Sequence, residues 1–121
     1  MTRKILIVDD EFFITRSLSF MLKKEGYHCD IANDGQKALE NIGSEKPDLI
    51  FLDVDMPVKN GYETAREIRQ NPAWKDIHII MLSAKGQDID EKRGLEAGAN
   101  EYILKPFDPR AILARVREIL I

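Results

Sequence analysis

Cysteine and long apolar runs are scarce in this sequence of 121 residues. The single cysteine, Cys29, cannot form an internal disulfide and leaves no cysteine-based set of metal ligands. No apolar stretch approaches the roughly 18 residues of a membrane-spanning helix, and the basic-then-apolar pattern of a signal peptide is missing. These absences predict a soluble, cytoplasmic protein with no membrane partner.

Concentrated positive charge is also missing. The 18 basic and 21 acidic residues are mixed along the chain and give a net charge of −3. Because nucleic-acid-binding domains gather lysine and arginine on one face, direct nucleic-acid binding by this domain is not expected. The length and the ordinary globular composition, 44% hydrophobic and 32% charged, predict one domain over residues 1–121.

Short apolar runs alternate with amphipathic stretches along the whole sequence. The predicted strands cover residues 4–8, 28–32, 49–52, 77–82 and 101–104. The first, third and fourth runs are almost entirely apolar, as in strands covered on both faces, whereas the second and fifth are mixed, as at sheet edges. The predicted helices cover residues 12–25, 35–42, 62–70, 88–97 and a last segment that opens at Asp108-Pro109.

The fivefold alternation of strand and helix predicts a three-layer α/β domain built on a parallel sheet. Right-handed crossovers leave few topologies, and we expect a doubly wound (βα)5 sheet in the flavodoxin-like strand order 2-1-3-4-5. Ligands of such sheets bind beyond the carboxyl ends of the strands. The residues that follow each strand are therefore the place to look for chemistry.

Charged and hydroxyl side chains follow four of the predicted strands. They are Asp9 and Asp10 after the first, Asp53 after the third, Ser83 after the fourth and Lys105 after the fifth. These strands are neighbours in the proposed order, so their ends are expected to meet in one shallow pocket. Carboxylates this close together force at least one of them to keep its proton unless a cation neutralises them.

The ligand types in this pocket favour Mg²⁺, with Mn²⁺ as a substitute, because they are oxygens without imidazole or thiolate. Since Mg²⁺ binds one or two carboxylates together with a phosphate oxygen, the pocket is suited to receive a phosphoryl group. A carboxylate can accept that group as a nucleophile, and Asp53 is the candidate because the central strand fixes its position. The backbone carbonyl of Asp55 can reach the metal, while Ser83 and Lys105 can bind phosphoryl oxygens.

Four motifs resemble those of the receiver domains of two-component response regulators, from the first residue to the last. They are "VDDE" (8–11), "FLDVDMP" (51–57) with "NG" (60–61), "MLSAK" (81–85) and "LKPF" (104–107). The resemblance implies that Asp53 is the phosphoacceptor. The implied metal ligands are Asp9, Asp10, Asp53 and the backbone carbonyl of Asp55. The implied phosphoryl-binding and switch groups are Ser83, the backbone of Ala84, Lys105 and Tyr102, and Pro106 matches the cis-proline of the family.

The resemblance thus implies a phosphorylation-operated switch rather than an enzyme. A histidine kinase or phosphotransfer protein would phosphorylate Asp53, and the domain would take part in its own phosphorylation and autodephosphorylation. The face of the fourth helix, fifth strand and fifth helix would then change its preference for a downstream output domain or protein. No output domain is expected within residues 1–121, and whether the receiver stands alone or was cut from a longer regulator stays open.

Three other functions stay open at this point. A flavin-binding domain on the same fold is one, but it needs a Ser/Thr/Gly phosphate loop after the first strand, where Asp9 and Asp10 would repel a phosphate without metal. "DVDMP" (53–57) also resembles the DxD motif of haloacid-dehalogenase-type phosphatases, in which the first aspartate is the nucleophile. That motif normally lies on the first strand, which argues against a phosphatase. A receiver-like domain that only binds a partner is the third alternative, and the complete set of acids argues against it.

Two surface features suggest further roles. Helical periodicity puts Phe12 and Phe20 away from the buried face of the first helix and Phe13 on its flank, which suits docking of a phosphodonor kinase. The alternative for Phe20 is packing against the last helix. Asp55 and Lys85 are predicted to flank the phosphoryl group, where an ion pair between them would tune the lifetime of the phosphate.

Overall fold

Strands and helices alternate along residues 2–121, the part of the chain that the computed structural model describes. The strands are β1 (Lys4–Val8), β2 (His28–Ala32), β3 (Leu49–Asp53), β4 (His78–Ser83) and β5 (Glu101–Leu104). The helices are α1 (Phe12–Lys24), α2 (Gly35–Ser44), α3 (Gly61–Gln70), α4 (Asp88–Ala97) and α5 (Pro109–Ile119), with a 3-10 turn at Pro72–Trp74. Every predicted element is present, and the predicted ends lie within two residues of the observed ones.

The strands form one parallel sheet in the order β2-β1-β3-β4-β5. This is the predicted doubly wound order, and helices cover both faces of the sheet. Every residue of β1 and β3 is buried, whereas the edge strands β2 and β5 are partly exposed. The mixed composition of the second and fifth runs therefore reflects their position at the two edges.

Side chains of the inner strands alternate between two cores, one on each face of the sheet. From these strands, one core takes Leu6, Val8, Ile50, Leu52, Ile79 and Met81. The other takes Ile5, Ile7, Leu49, Phe51, Ile80 and Leu82. Helices α2, α3 and α4 cover the first core and α1 and α5 cover the second, which gives the predicted three layers.

The single cysteine lies in a core, and the longest helix has 13 residues. Cys29 is buried in the second core, where burial raises the pKa of its thiol to about 11, so the thiol serves packing rather than nucleophilic chemistry. Within residues 2–121, no helix combines the length and the apolar character needed to cross a bilayer.

Side-chain caps begin three of the helices that start at the carboxyl edge of the sheet. The capping residues are Asp34 for α2, Asn60 for α3 and Asp108 for α5. Helix α1 differs, because Glu11, the residue before it, makes no side-chain hydrogen bond to the helix. Asp9 instead accepts a hydrogen bond from the backbone N–H of Glu11 (2.9 Å), which holds its carboxylate at the edge of the sheet.

Helix α4 is only weakly anchored to the rest of the protein. Its buried residues are Gly94 and Ala97, which bring little apolar area to the core. Its larger apolar side chains, Ile89 and Leu95, are exposed. A helix with so few buried contacts belongs to the part of a fold that moves at low cost.

Glu101 joins the amino end of β5 to His78 of β4 and Arg115 of α5. Glu101 places one carboxylate oxygen 2.5 Å from Nε2 of His78 and accepts a hydrogen bond from Nε of Arg115 (2.6 Å) with the other. Burial alone would raise the pKa of Glu101, but the contacts with Arg115 and His78 lower it. We call this group the Glu101 clip.

The connection from β3 to α3 contains a strained residue. Val58 has a φ of 69°, in the left-handed region that β-branched residues avoid. The backbone N–H of Lys59 donates to the carbonyl of Pro57 (2.7 Å), so the chain closes a tight turn around Val58. Because the side chain of Val58 is exposed, packing does not offset this strain.

Replacing Val58 by asparagine should stabilise the protein, because asparagine adopts a positive φ more readily than valine. We expect the free energy of unfolding, measured by urea denaturation, to rise by about 1 kcal/mol. Ile89→Asn is the matched control, since it also replaces an exposed apolar residue but on a helix, where no such strain is relieved. An unchanged or lower stability of Val58→Asn would contradict the prediction.

Candidate functional site

Side chains from four strand ends meet at the carboxyl edge of the sheet. Asp53 and Ser83 are the last residues of β3 and β4, while Asp9 and Lys105 directly follow β1 and β5. The carboxylates of Asp9 and Asp53 and the hydroxyl of Ser83 belong to buried residues. The doubly wound order makes these strands neighbours, and parallel pairing brings their ends to the same edge.

Lys105 lies between two carboxylates. Its Nζ atom is 2.8 Å from Oδ2 of Asp9 and 3.1 Å from Oδ1 of Asp53, and it is also 3.6 Å from Oε1 of Glu11. The peptide bond between Lys105 and Pro106 is cis, as the resemblance implied. The ammonium thus supplies one positive charge to two buried carboxyl groups.

Three carboxylates surround a space that suits a divalent cation. One oxygen each from Asp9, Asp10 and Asp53 lies within 4.8 Å of the others. Asp10 is exposed, whereas Asp9 and Asp53 are buried. A set of carboxylate oxygens without imidazole or thiolate fits a hard cation such as Mg²⁺ or Mn²⁺.

The electrostatics of this pocket shift two pKa values. Burial and the negative charge of Asp9 raise the pKa of Asp53 to about 7, although Lys105 opposes the shift. Burial alone would lower the pKa of Lys105, but its hydrogen bond to Asp9 and the charge of Asp53 raise it. Without a metal, the pocket therefore favours a proton on Asp53 near neutral pH.

The loop that leaves β4 is tied to the fifth strand. The backbone N–H of Lys85 donates to Oγ of Ser83 (3.0 Å), and the carbonyl of Lys85 accepts a hydrogen bond from the hydroxyl of Tyr102 (2.7 Å). Tyr102 is half-buried against the first core. Ala84, between Ser83 and Lys85, is exposed. A single residue, Lys85, thus contacts both Ser83 and Tyr102 through its backbone.

Asp55 and Lys85 form an ion pair beside the pocket. Nζ of Lys85 lies 3.1 Å from Oδ1 of Asp55, and both side chains are about half exposed. The backbone of Asp55 acts to lower the pKa of Asp53, against the larger effect of burial. The direction of the Asp55 side chain could not be predicted from periodicity, because Asp55 lies in a loop beyond the strand.

Three phenylalanines of α1 point into solvent. Phe12, Phe13 and Phe20 are 66%, 84% and 72% exposed, so the alternative that Phe20 packs against the last helix is wrong. The rings of Phe12 and Phe13 meet edge to face with 6.5 Å between centroids, and the guanidinium of Arg16 covers Phe12. The first two rings begin the helix directly after the acidic residues.

Gly61 is a site position to which sequence reasoning gave no role. A Cβ atom on Gly61 would lie 2.4 Å from the carbonyl oxygen of Asp53 and 2.8 Å from Cα of Val54. Only glycine lets α3 begin this close to the end of β3. The signal was present in the motif "NG" (60–61), but glycine after asparagine is equally typical of an ordinary turn.

The fold and the strand-end cluster define an α/β domain with an acidic pocket at the carboxyl ends of the strands of a doubly wound sheet. The sequence profile of the response regulator receiver domain matches residues 5–117, and the chain belongs to this family. It is the receiver domain of a two-component response regulator, as its motifs implied.

Relatives of known sequence and structure agree with this assignment. The alkaline phosphatase synthesis transcriptional regulatory protein PhoP of Bacillus subtilis is 45% identical over 120 residues, which cover 99% of this chain and 49% of PhoP. The chain therefore spans about half the length of that curated relative. The chemotaxis protein CheY4 of Vibrio cholerae superposes with a TM-score of 0.92 at 31% identity, over 98% of this chain and 99% of CheY4. The BeF3-activated receiver domain of Klebsiella pneumoniae RstA superposes with a TM-score of 0.89 at 33% identity, over 98% of each chain.

The raised pKa of Asp53 predicts a stability difference that depends on pH. Between the pKa of an unfolded aspartate, about 4, and the folded value of about 7, the folded protein holds a proton that the unfolded chain has lost. This contribution to stability is complete at low pH and is lost as the pH rises through 7. In metal-free buffer, Asp53→Asn should therefore gain stability over the wild type as the pH increases from about 4 to 8.

Urea denaturation of both proteins across this pH range measures the effect. Mg²⁺ is the internal control, because a bound cation favours the ionised carboxylate and should reduce the advantage of Asp53→Asn at neutral pH. A stability difference that stays constant with pH would show that Asp53 titrates as an ordinary exposed aspartate.

Proposed function

We propose that this receiver domain is a switch operated by phosphorylation of Asp53. The observation that supports this most directly is the position of its carboxylate. Asp53 ends the central strand, is buried, and has an oxygen 3.1 Å from Nζ of Lys105. A carboxylate oriented by packing and faced by an ammonium is prepared to act as a nucleophile on an anionic phosphoryl group.

The proposed reaction transfers one phosphoryl group. An oxygen of Asp53 attacks the phosphorus of a phosphohistidine, the phosphorus–nitrogen bond breaks, and the histidine nitrogen leaves with the bonding electrons. The product is an aspartyl phosphate, which carries nearly two negative charges where the carboxylate carried one. In autodephosphorylation, water attacks the phosphorus, inorganic phosphate leaves and the carboxylate of Asp53 is restored.

Asp9, Asp10 and Asp53, with the backbone carbonyl of Asp55, would hold Mg²⁺, and Mn²⁺ would serve as a substitute. The juxtaposition of the three carboxylates within 4.8 Å supports this assignment. When bound, the ion neutralises charge on the transferred group. Asp9 also orients Lys105 through its 2.8 Å contact, which keeps the ammonium within reach of the phosphoryl oxygens.

Movement of the switch follows from the new charge. Ser83 donates a hydrogen bond to one phosphoryl oxygen, the backbone of Ala84 binds the same group, and Lys105 pairs with another oxygen. Tyr102 follows the loop through its hydrogen bond to Lys85. The face formed by α4, β5 and α5 then changes its preference for a downstream partner.

The domain, in this proposal, is not a multiple-turnover enzyme. A haloacid-dehalogenase-type phosphatase carries its DxD motif on the first strand, whereas Asp53 ends the third strand of this chain and Asp55 follows it. The receiver releases only the phosphate that it has itself accepted. Release of many equivalents of phosphate from an added phosphate ester would favour the phosphatase instead.

The proposed upstream partner is a histidine kinase or a phosphotransfer protein, and the downstream partner is an output domain or protein. The relative PhoP is named as a transcriptional regulatory protein. By analogy, we assign any contact with nucleic acid to the output partner, because the receiver has a net charge of −3 with its basic residues dispersed. We propose the cytoplasm as the place of these interactions.

Acetyl phosphate with Mg²⁺ tests the phosphoacceptor directly. We expect the intact mass of the wild type to increase by one phosphoryl group and that of Asp53→Asn to stay unchanged. Asp76→Asn is the control, since it removes an exposed aspartate just before the amino end of β4, on the side of the sheet opposite the acidic pocket. This variant should still be phosphorylated. If neither acetyl phosphate nor a phosphorylated histidine kinase modifies the wild type, the proposal is wrong.

The ion pair of Asp55 and Lys85 is proposed to lengthen the lifetime of the phosphate by screening it from water. An exposed pair is worth about 0.2–1 kcal/mol, so Asp55→Ala and Lys85→Ala should each speed autodephosphorylation by about 1.4-fold to fivefold. Loss of the phosphoryl mass with time measures the rate. Lys92→Ala is the control because Lys92 pairs with Glu96 on α4, away from the pocket; equal rates in all variants would reject the idea.

The exposed phenylalanines of α1 are proposed to dock the phosphodonor kinase. Phe12→Ala, Phe13→Ala and Phe20→Ala should slow transfer from the kinase, by about tenfold where the ring is an anchor of the interface, without changing phosphorylation by acetyl phosphate. Leu95→Ala on α4 is the control for loss of an exposed apolar side chain. Transfer rates that match the wild type would remove the docking role.

A further inference from the structure

Gly94 occupies a position in α4 where no backbone requirement calls for glycine. It lies inside a helix that ends at Ala97, and its φ is not among the positive values, which in glycines occur at Gly26 and Gly98. Glycine is a poor helix former compared with alanine at such a position. Gly94 is nevertheless buried, so its lack of a side chain has to be explained by its neighbours.

The explanation is space for an aromatic ring. A Cβ atom on Gly94 would lie 2.9 Å from Cδ2 of Tyr102 and 2.9 Å from Sδ of Met81, closer than such atoms approach. Met81 is unbranched and can move its sulfur, whereas the ring of Tyr102 is rigid. The ring is also held at its far end, because its hydroxyl donates to the carbonyl of Lys85. We call the space bounded by Gly94, Met81 and the Lys85 carbonyl the Tyr102 seat.

The Tyr102 seat matters because α4 has few other anchors. The other buried residue of the helix is Ala97. A second contact joins Arg93 to Tyr62 of α3, with the guanidinium 4.3 Å from the centre of the ring. Helix α4 therefore rests on aromatic rings rather than on its own apolar side chains, and the ring of Tyr102 lies against its middle.

A continuous chain of contacts runs from the phosphorylation site to this helix. Ser83 accepts a hydrogen bond from the backbone N–H of Lys85 (3.0 Å), the carbonyl of Lys85 accepts one from Tyr102 (2.7 Å), and the ring of Tyr102 meets Gly94. If the hydroxyl of Ser83 turns to a phosphoryl oxygen, the peptide groups of Lys85 are the first to respond. Their movement acts on Tyr102 through its hydroxyl.

We infer that Gly94 is a positioning residue of the switch: its missing side chain forms the Tyr102 seat, and occupation of the seat couples the phosphorylation site to α4. This inference rests on the proposed function, since it assigns a path for the conformational response to phosphorylation. A methyl group at position 94 would push the ring out of the seat and weaken the coupling. Coupling is reciprocal, so a protein that disfavours the seated ring should also bind a phosphoryl analogue less tightly.

A double-mutant cycle tests the contact. Gly43→Ala is the matched control, because Gly43 lies in α2 with nothing within 4 Å of an added Cβ. Gly43→Ala should shift the folding equilibrium about two- to fivefold towards the folded state, as expected from helix propensity. Gly94→Ala should not shift the folding equilibrium towards the folded state when Tyr102 is present. In the Tyr102→Ala background, Gly94→Ala should shift it as much as Gly43→Ala does. A gain in the wild-type background, or none in Tyr102→Ala, would overturn the inference.

A functional measurement separates coupling from packing. Tyrosine is replaced by 3-fluorotyrosine, the resonance of Tyr102 is assigned by its loss in Tyr102→Phe, and beryllofluoride with Mg²⁺ is added as the phosphoryl analogue. In the wild type and in Gly43→Ala, the resonance of Tyr102 should shift on addition of the analogue. In Gly94→Ala, the resonance of Tyr102 should have the chemical shift of an exposed ring and should not change when the analogue is added. The affinity of Gly94→Ala for the analogue should fall several-fold.

The outcomes distinguish this inference from the function on which it rests. If acetyl phosphate and a phosphorylated kinase both fail to modify Asp53 of the wild type, the proposed function is wrong and the inference fails with it. If Gly94→Ala is phosphorylated and its Tyr102 resonance and analogue affinity match those of the wild type, the inference alone is overturned. Phosphorylation of Gly94→Ala with an unresponsive Tyr102 supports both.

Discussion

The contact of Lys105 with two buried carboxylates is the constraint on which the functional edge of this receiver depends. Asp9 is fully buried and Asp53 nearly so, and Lys105 is the ammonium that lies within 3.1 Å of both. Without that charge, two neighbouring carboxylates in a dry environment could not both ionise. The contact also requires the ends of β1, β3 and β5 to lie on the same side of the sheet, within reach of one lysine side chain across the end of β4, so the strand order and the chemistry support each other.

Much of this arrangement could be predicted because it depends on strands. Apolar runs that end on Asp, Ser or Lys mark both the strand and the point at which it stops, and parallel pairing brings those points together. The composition of the runs even separated inner strands from edges, since β2 and β5 are mixed in polarity, whereas β1 and β3 are apolar except for Lys4 and Asp53 at their ends. Periodicity also identified Phe12 and Phe20 as residues outside the buried face of α1.

Loops and close approaches were harder to predict, because no period governs them. The direction of Asp55 became clear only from its contact with Lys85, which comes from a different loop. The sequence does not indicate the positive φ of Val58, because valine is a β-branched residue type that avoids this region. Gly94 gave no sign of its role either, since the ring that it accommodates is eight positions away along the chain and belongs to another element. Helical periodicity therefore identifies the side chains that a helix buries, but it does not identify a position that must lack a side chain to accommodate a residue of another element.

The Glu101 clip ties the fifth strand to β4 and α5 at the end opposite the acidic pocket. Contacts with His78 and Arg115 fix the amino end of β5, while its carboxyl end at Leu104 is exposed and runs into the loop that carries Lys105. Backbone pairing with β4 continues from Glu101 to Leu104, and the N–H of Lys105 donates to the carbonyl of Ser83 (2.8 Å), so the strand is held along its whole length. Any displacement of the end of β4 therefore carries the backbone of Lys105 with it, while the amino ends of the two strands stay joined through His78.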